Sequence, residues 1–137
     1  MNTHNWSALS LSLMIGSSMG AHAVAADMVA IMAPIASPLT KDQVADVFLG
    51  RSAALKPVDL PESSAARELF YRKATGRDAA QVRAVWARLI FTGRGKLPKE
   101  LPDAAAVKKA VAGDPNVVGY IDKADVDATV KVVLSLN

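Results

Sequence analysis

The segment Thr40-Lys-Asp-Gln-Val-Ala-Asp-Val-Phe-Leu-Gly50 is a helix with both of its ends written into it. The Thr40 hydroxyl can accept from a backbone N–H of the first turn while Gln43 reaches back, the T-x-x-Q capping box. Val44, Val47 and Phe48 form an i, i+3, i+4 apolar stripe, and Gly50 stands where a helix ends in a left-handed turn. Ahead of it, the apolar run of residues 28–33 is stopped by Pro34 and Pro38, which a strand interior does not tolerate. A buried strand handed directly to a short, capped helix is a unit of an α/β layer structure.

The same punctuation recurs along the chain. Residues 56–60, with prolines at positions 57 and 61, form a short strand. A helix is predicted over 63–74, with Ala66, Leu69 and Phe70 on its inner side and Gly76 near its end. Asp78 caps the next helix, in which Val82, Val85, Trp86, Leu89 and Ile90 share one face and Arg83 and Arg88 lie off it. That Trp stripe is a core face rather than a ligand platform. Residues 92–102 are a loop rich in Gly, Lys and Pro. Asp103 opens a further helix with Ala104, Val107, Ala110 and Val111 inward, stopped by Gly113-Asp-Pro115. Residues 117–121 and 129–136 are strands, with a turn or helical step around 123–126. The order β-α-β-α-α-α-β-β argues for one α/β layer sandwich around a mostly parallel sheet.

All 29 charged side chains lie at or after Asp27. The first 26 residues hold the interrupted apolar run Leu9 to Ile15, followed by Ala21-His-Ala23 and Ala23-Val-Ala25, two small-x-small patterns suited to a signal peptidase. The expectation is a signal peptide over 1–26, cleaved near Ala23 to Ala26, and a single domain over 27–137. The apolar run is too short to span a bilayer. Residues 27–137 contain no His and no Cys, which removes Ser-His and Cys-His nucleophilic machinery, disulfides and the usual zinc sites. A non-enzymatic protein with no metal and no cofactor is expected.

Charge is uneven. Residues 51–99 hold eleven Lys/Arg against four Asp/Glu, whereas 27–50 and 100–137 are each slightly acidic. A basic middle suits an anionic ligand, an anionic partner or an acidic membrane surface; its plainer reading is a solvated helix face. Aromatic side chains are too few, and too clearly on apolar faces, for nucleic-acid stacking.

Three stretches carry a resemblance. Leu39–Gly50, the Trp86-x-x-Leu-Ile-Phe-Thr-Gly-Arg-Gly95 run and Val117-Val-Gly-Tyr-Ile-Asp122 resemble, in that order, segments of the PstS-like phosphate-binding proteins of ABC transporters. The resemblance implies a periplasmic location and a single-lobe, periplasmic-binding-protein-like layer sandwich with a small, mostly parallel or mixed sheet flanked by helices. Full-length members have two lobes that close on the ion, and this chain matches one lobe only. It also implies where an oxyanion would sit. By position, Glu62-Ser63-Ser64 and the helix that follows resemble the family's phosphate-contacting strand-to-helix turn, so Ser63, Ser64 and Arg67 are the candidate ligand-binding residues. A helix N-terminus supplies unpaired N–H groups and a positive dipole end for such a ligand. The sequence departs from the family's pattern here: no Arg precedes the turn, its Gly is missing, and Glu62 adds a negative charge.

Two other frames stay open for the turn. Ser63 or Ser64 is an ordinary N-cap, or Asp59 is the cap with Pro61 in the first turn and Glu62 completing a capping box. Thr92-Gly-Arg-Gly-Lys96 resembles a phosphate loop only in composition, since it follows a helix and runs into Leu97-Pro98. Two functions therefore stand side by side. The chain is a periplasmic solute-binding-type protein for phosphate or another small oxyanion, alone or as a homodimer. Alternatively, it is an interaction module without anion binding whose basic face meets a protein or envelope surface.

Overall fold

The computed structural model describes residues 27–136. The signal peptide expected over 1–26 and its cleavage lie outside these residues. Five strands and four helices follow in the order β1 (Met28–Met32), α1 (Lys41–Phe48), β2 (Lys56–Asp59), α2 (Ala65–Thr75), α3 (Ala79–Phe91), β3 (Lys99–Glu100), α4 (Ala104–Gly113), β4 (Val117–Asp122) and β5 (Lys131–Leu136). A 3₁₀ turn at Lys123–Asp125 links the last two strands.

The strands form one sheet in the order β3-β2-β4-β1-β5. β2 runs parallel to both β3 and β4, while β1 is antiparallel to β4 on one side and to β5 on the other. The sheet is thus mixed, with one reversed strand. β4 and β5 run the same way with β1 between them, so residues 123–130, which begin with the 3₁₀ turn, run back past the end of β1 to start β5 beside Met32. All five residues of Met-Val-Ala-Ile-Met in β1 are buried, the pattern of a strand covered on both faces.

α1 forms as its sequence dictates: the Thr40–Gln43 capping box is closed by two hydrogen bonds of 2.8 and 3.1 Å, and Val44, Val47 and Phe48 are buried. Gly50 adopts φ +71° directly after the helix. A side chain there would also meet Leu89 Cδ1 at 2.5 Å, so both conformation and space call for glycine. The core is aromatic at its centre. Phe48, Phe70, Tyr71 and Tyr120 are in mutual contact, with Phe70 and Tyr120 stacked at 3.9 Å between centroids and the other pairs edge-to-face.

Four local expectations change. α2 begins at Ala65, two residues later than predicted, because Ser64 caps it. Lys99–Glu100, inside the expected loop, adds a two-residue edge strand to β2. β5 starts at Lys131 rather than 129, since Thr129 is held by Asp127 in a turn. On α3 only Val82 and Trp86 are buried, and Ile90 is 45% exposed. The helix packs through a narrow strip, with the Trp86 indole N–H reaching the Phe48 carbonyl at 2.9 Å.

Candidate functional site

β2 ends in the one buried charged residue among the described residues. Asp59 is 2% exposed and sits at the exit of the strand, directly before the turn that leads to α2. A carboxylate in an apolar core costs several kcal/mol unless it is paired and hydrogen-bonded. Here it is both. The Tyr71 hydroxyl donates to Oδ2 at 2.5 Å, the Tyr120 hydroxyl donates to Oδ1, and the Leu60 N–H donates to Oδ1 at 2.9 Å. The Arg67 guanidinium lies 3.7 Å from Oδ1 and donates to the Leu60 carbonyl at 2.9 Å. It also lies over the Tyr71 ring, 5.7 Å from the centroid.

The two phenols respond to this setting. Burial pushes both above the usual tyrosine range, and the Asp59 charge and hydrogen bonds push them further; the Arg67 charge opposes this weakly at Tyr71. Both therefore remain neutral donors. Tyr120, on β4, is fully buried, and its hydroxyl closes the network. The sequence offers Asp59 as a helix cap; the fold makes it the acceptor of this network instead. A carboxylate at the end of a short strand, twelve residues before a tyrosine on the next helix, is the signal the sequence holds.

Downstream, Ser64 Oγ accepts from the Arg67 N–H at 3.3 Å, which makes Ser64 the N-cap and sets aside the frame with Asp59 as cap. Ser63 is exposed one residue earlier. The three residues singled out from the sequence therefore lie together at the amino end of α2, but they point to different tasks. Ser64 closes the helix, Ser63 faces solvent, and the Arg67 charge is directed inward to Asp59. Glu62 does not stand alone, since Arg83 lies 3.5 Å from it. A cavity of about 30 Å³ beside Arg67 is lined also by Glu62, Glu68 and Tyr71, with room for about one water molecule.

Among the described residues no group of three or more His, Cys, Asp or Glu side chains is placed to hold a metal ion. Among the same residues no helix is long and apolar enough to cross a membrane.

No protein-family model matches the chain, and no curated protein matches it. Solved structures do. A Clostridium perfringens protein assigned as a phosphate ABC transporter substrate-binding protein, with phosphate bound, superposes with a TM-score of 0.62 at 19% identity. The match covers 79% of this chain and 44% of that one. An ABC-type phosphate transport receptor from Vibrio cholerae gives a TM-score of 0.55 at 15% identity, over 79% of this chain and 45% of that one. The chain thus spans less than half the length of the structures it matches. Its described residues have the mixed α/β fold found in part of those periplasmic-binding-protein-like structures.

Proposed function

We propose that the chain is a non-enzymatic, solute-binding-type lobe of the periplasm that takes a small oxyanion, phosphate first, at the amino end of α2. The observation that carries this reading is the cap itself. With Ser64 at the N-cap, the first N–H groups of α2, those of Ala65 and Ala66, have no carbonyl within the helix to bond, and Ser63 and Ala65 on either side of the cap are exposed. The Glu62 charge, which would repel an anion, is drawn toward Arg83. The likeness to a phosphate-bound substrate-binding protein supports the choice of ligand.

Binding by one lobe is expected to be weak. Among the described residues nothing closes over the ion, so on this lobe the site stays in water and its hydrogen bonds compete with solvent. Thermal melts against phosphate, sulfate and carboxylates at millimolar concentration test the reading. Ser63→Ala with Ser64→Asp is the informative variant: Asp keeps the cap but places a negative charge where the anion would sit. Phosphate should raise the melting temperature of the wild type and not of this variant. A flat response of the wild type across all anions would sink the proposal.

A second reading has its own observation. Because Arg67 is bound to Asp59 and the Leu60 carbonyl, the strongest cation near the turn is spent internally. That favours an interaction module in which the anion site has been lost. Such a module shows no anion response but binds a partner in a salt-sensitive way.

A further inference from the structure

Two concavities flank α3, and neither includes the α2 turn. One, about 400 Å³, is lined by Arg51, Arg77, Gln81 and Arg88 with Leu49 and Leu89. The other, about 430 Å³, has Val47, Leu55 and Trp86 among its apolar walls, and Lys56, Arg94, Lys96 and Lys99 along it. They are neighbours: Gly50 lines the second, Leu89 lines the first, and a Cβ built on Gly50 would stand 2.5 Å from Leu89 Cδ1. Together they present seven Lys and Arg side chains and no carboxylate. Arg51 has Asp46 at 3.6 Å and Lys56 has Asp114 at 3.7 Å. The other five, Arg77, Arg88, Arg94, Lys96 and Lys99, have no ion pair within 4 Å among the described residues.

Like charges gathered together repel one another, and among the described residues these five have no carboxylate within ion-pair distance to offset that. Among the apolar walls, Val47 and Trp86 belong to the core and Leu55 is half-buried against it, whereas Leu97, in the second concavity, is 61% exposed. Apolar walls beneath a cationic rim complement a chain that alternates carboxylates with an apolar side chain. A free inorganic anion would leave the apolar walls unused.

We propose that this double groove docks an acidic, amphipathic peptide segment of a partner protein, with an apolar side chain seated against Trp86 and Leu55 and carboxylates on Arg94, Lys96 and Lys99. The concave shape favours a peptide over a lipid surface, which protruding side chains would meet instead. Electrostatic complementarity of this kind sets on-rate and salt dependence as well as affinity. The site is separate from the α2 turn, and its fate does not depend on phosphate.

Anisotropy of fluorescein-labelled Ac-Glu-Glu-Phe-Glu-Glu-amide titrated with the full chain tests this. Binding should saturate, weaken at least tenfold between 20 and 200 mM salt on the order expected for several ion pairs, and be absent for the Lys-for-Glu peptide. Lys96→Glu with Lys99→Glu should raise Kd at least tenfold; Lys109→Glu, exposed on α4, should not. Amide shifts of the unmodified protein give a readout that needs no variant, and should cluster at Gly50, Gly95 and Leu97. Equal binding of both peptides, shifts elsewhere, or no saturation at millimolar protein overturns the proposal. So does binding to vesicles containing phosphatidylglycerol in place of the peptide.

Discussion

Asp59 and Tyr120 are separated by 61 positions in sequence and share a hydrogen bond in the centre of the core. The bond ties the exit of β2 to β4, and Tyr71 at 2.5 Å ties the same carboxylate to α2. Three elements thus meet at one side chain. Replacing Asp59 with Ala leaves two buried phenols without an acceptor and Arg67 without its partner. The expected loss is on the order of 3–5 kcal/mol. Tyr71→Phe and Tyr120→Phe should each cost about 1–2 kcal/mol, and the double variant should be non-additive because both donors serve one acceptor. Urea denaturation of the four variants measures this. Additive losses would show that the network is not a unit.

The same network fixes the response to alkali. In the unfolded chain both phenols titrate near 10, whereas in the folded protein burial and Asp59 hold them protonated well above that. Their contribution to stability is therefore complete below about pH 10 and is lost as pH rises past it, because the unfolded state releases protons that the folded state keeps. Tyrosinate absorbance should appear together with loss of far-UV ellipticity. Ionisation of Tyr71 or Tyr120 ahead of unfolding would contradict the burial.

Gly119 lets α4 lie directly on β4. A Cβ at this position would meet Val107 Cγ1 at 2.6 Å, Val58 Cγ2 at 3.1 Å and Val111 Cγ2 at 3.2 Å. Gly119→Ala should cost about 1–3 kcal/mol by overpacking. Val107→Ala, destabilising by itself through a cavity, should be partly rescued when combined with Gly119→Ala. Thermal melts of the cycle decide it, and a fully additive double variant would mean that the two residues do not compete for the same space.

On the surface, Asp127 is held down to about 2, first by the Thr129 hydroxyl, then by Lys108 at 3.0 Å. A carboxyl lowered in the folded state contributes stability that is present above its unfolded value, near 4, and fades as pH falls toward about 2. The direct check is the Asp127 carboxyl shift in an NMR titration. Thr129→Val should move its midpoint upward, and an unmoved midpoint would remove the hydroxyl as the main cause.

Much of the scaffold was legible in the chain. Thr40 with Gln43, Asp78 with Gln81, and Asp103 each mark a helix start through local chemistry within four residues, and all three caps form. Local signals have no access to strand direction, so β1 could not be told to run against its neighbours. Nor could the outward turn of Ile90 be foreseen, since it depends on how narrow a strip α3 offers to α1 and α2. The site was half legible. Ser63, Ser64 and Arg67 do gather at the amino end of α2, but the inward commitment of Arg67 depends on Asp59, Tyr71 and Tyr120 meeting across long sequence separations. The missing Gly and the extra Glu62 were visible; the Arg83 that answers Glu62 was not.

The placement of β1 has a consequence for the order of events in synthesis. This strand leaves the ribosome before every other element described, yet both of its partners, β4 and β5, are the last to be made. Met28, whose register partners are Asp122 and Leu136, must wait for residues about a hundred positions further on before it is covered. This part of the sheet therefore closes only once β5 has been made, and until then an apolar five-residue segment is open to chaperones and to other nascent chains.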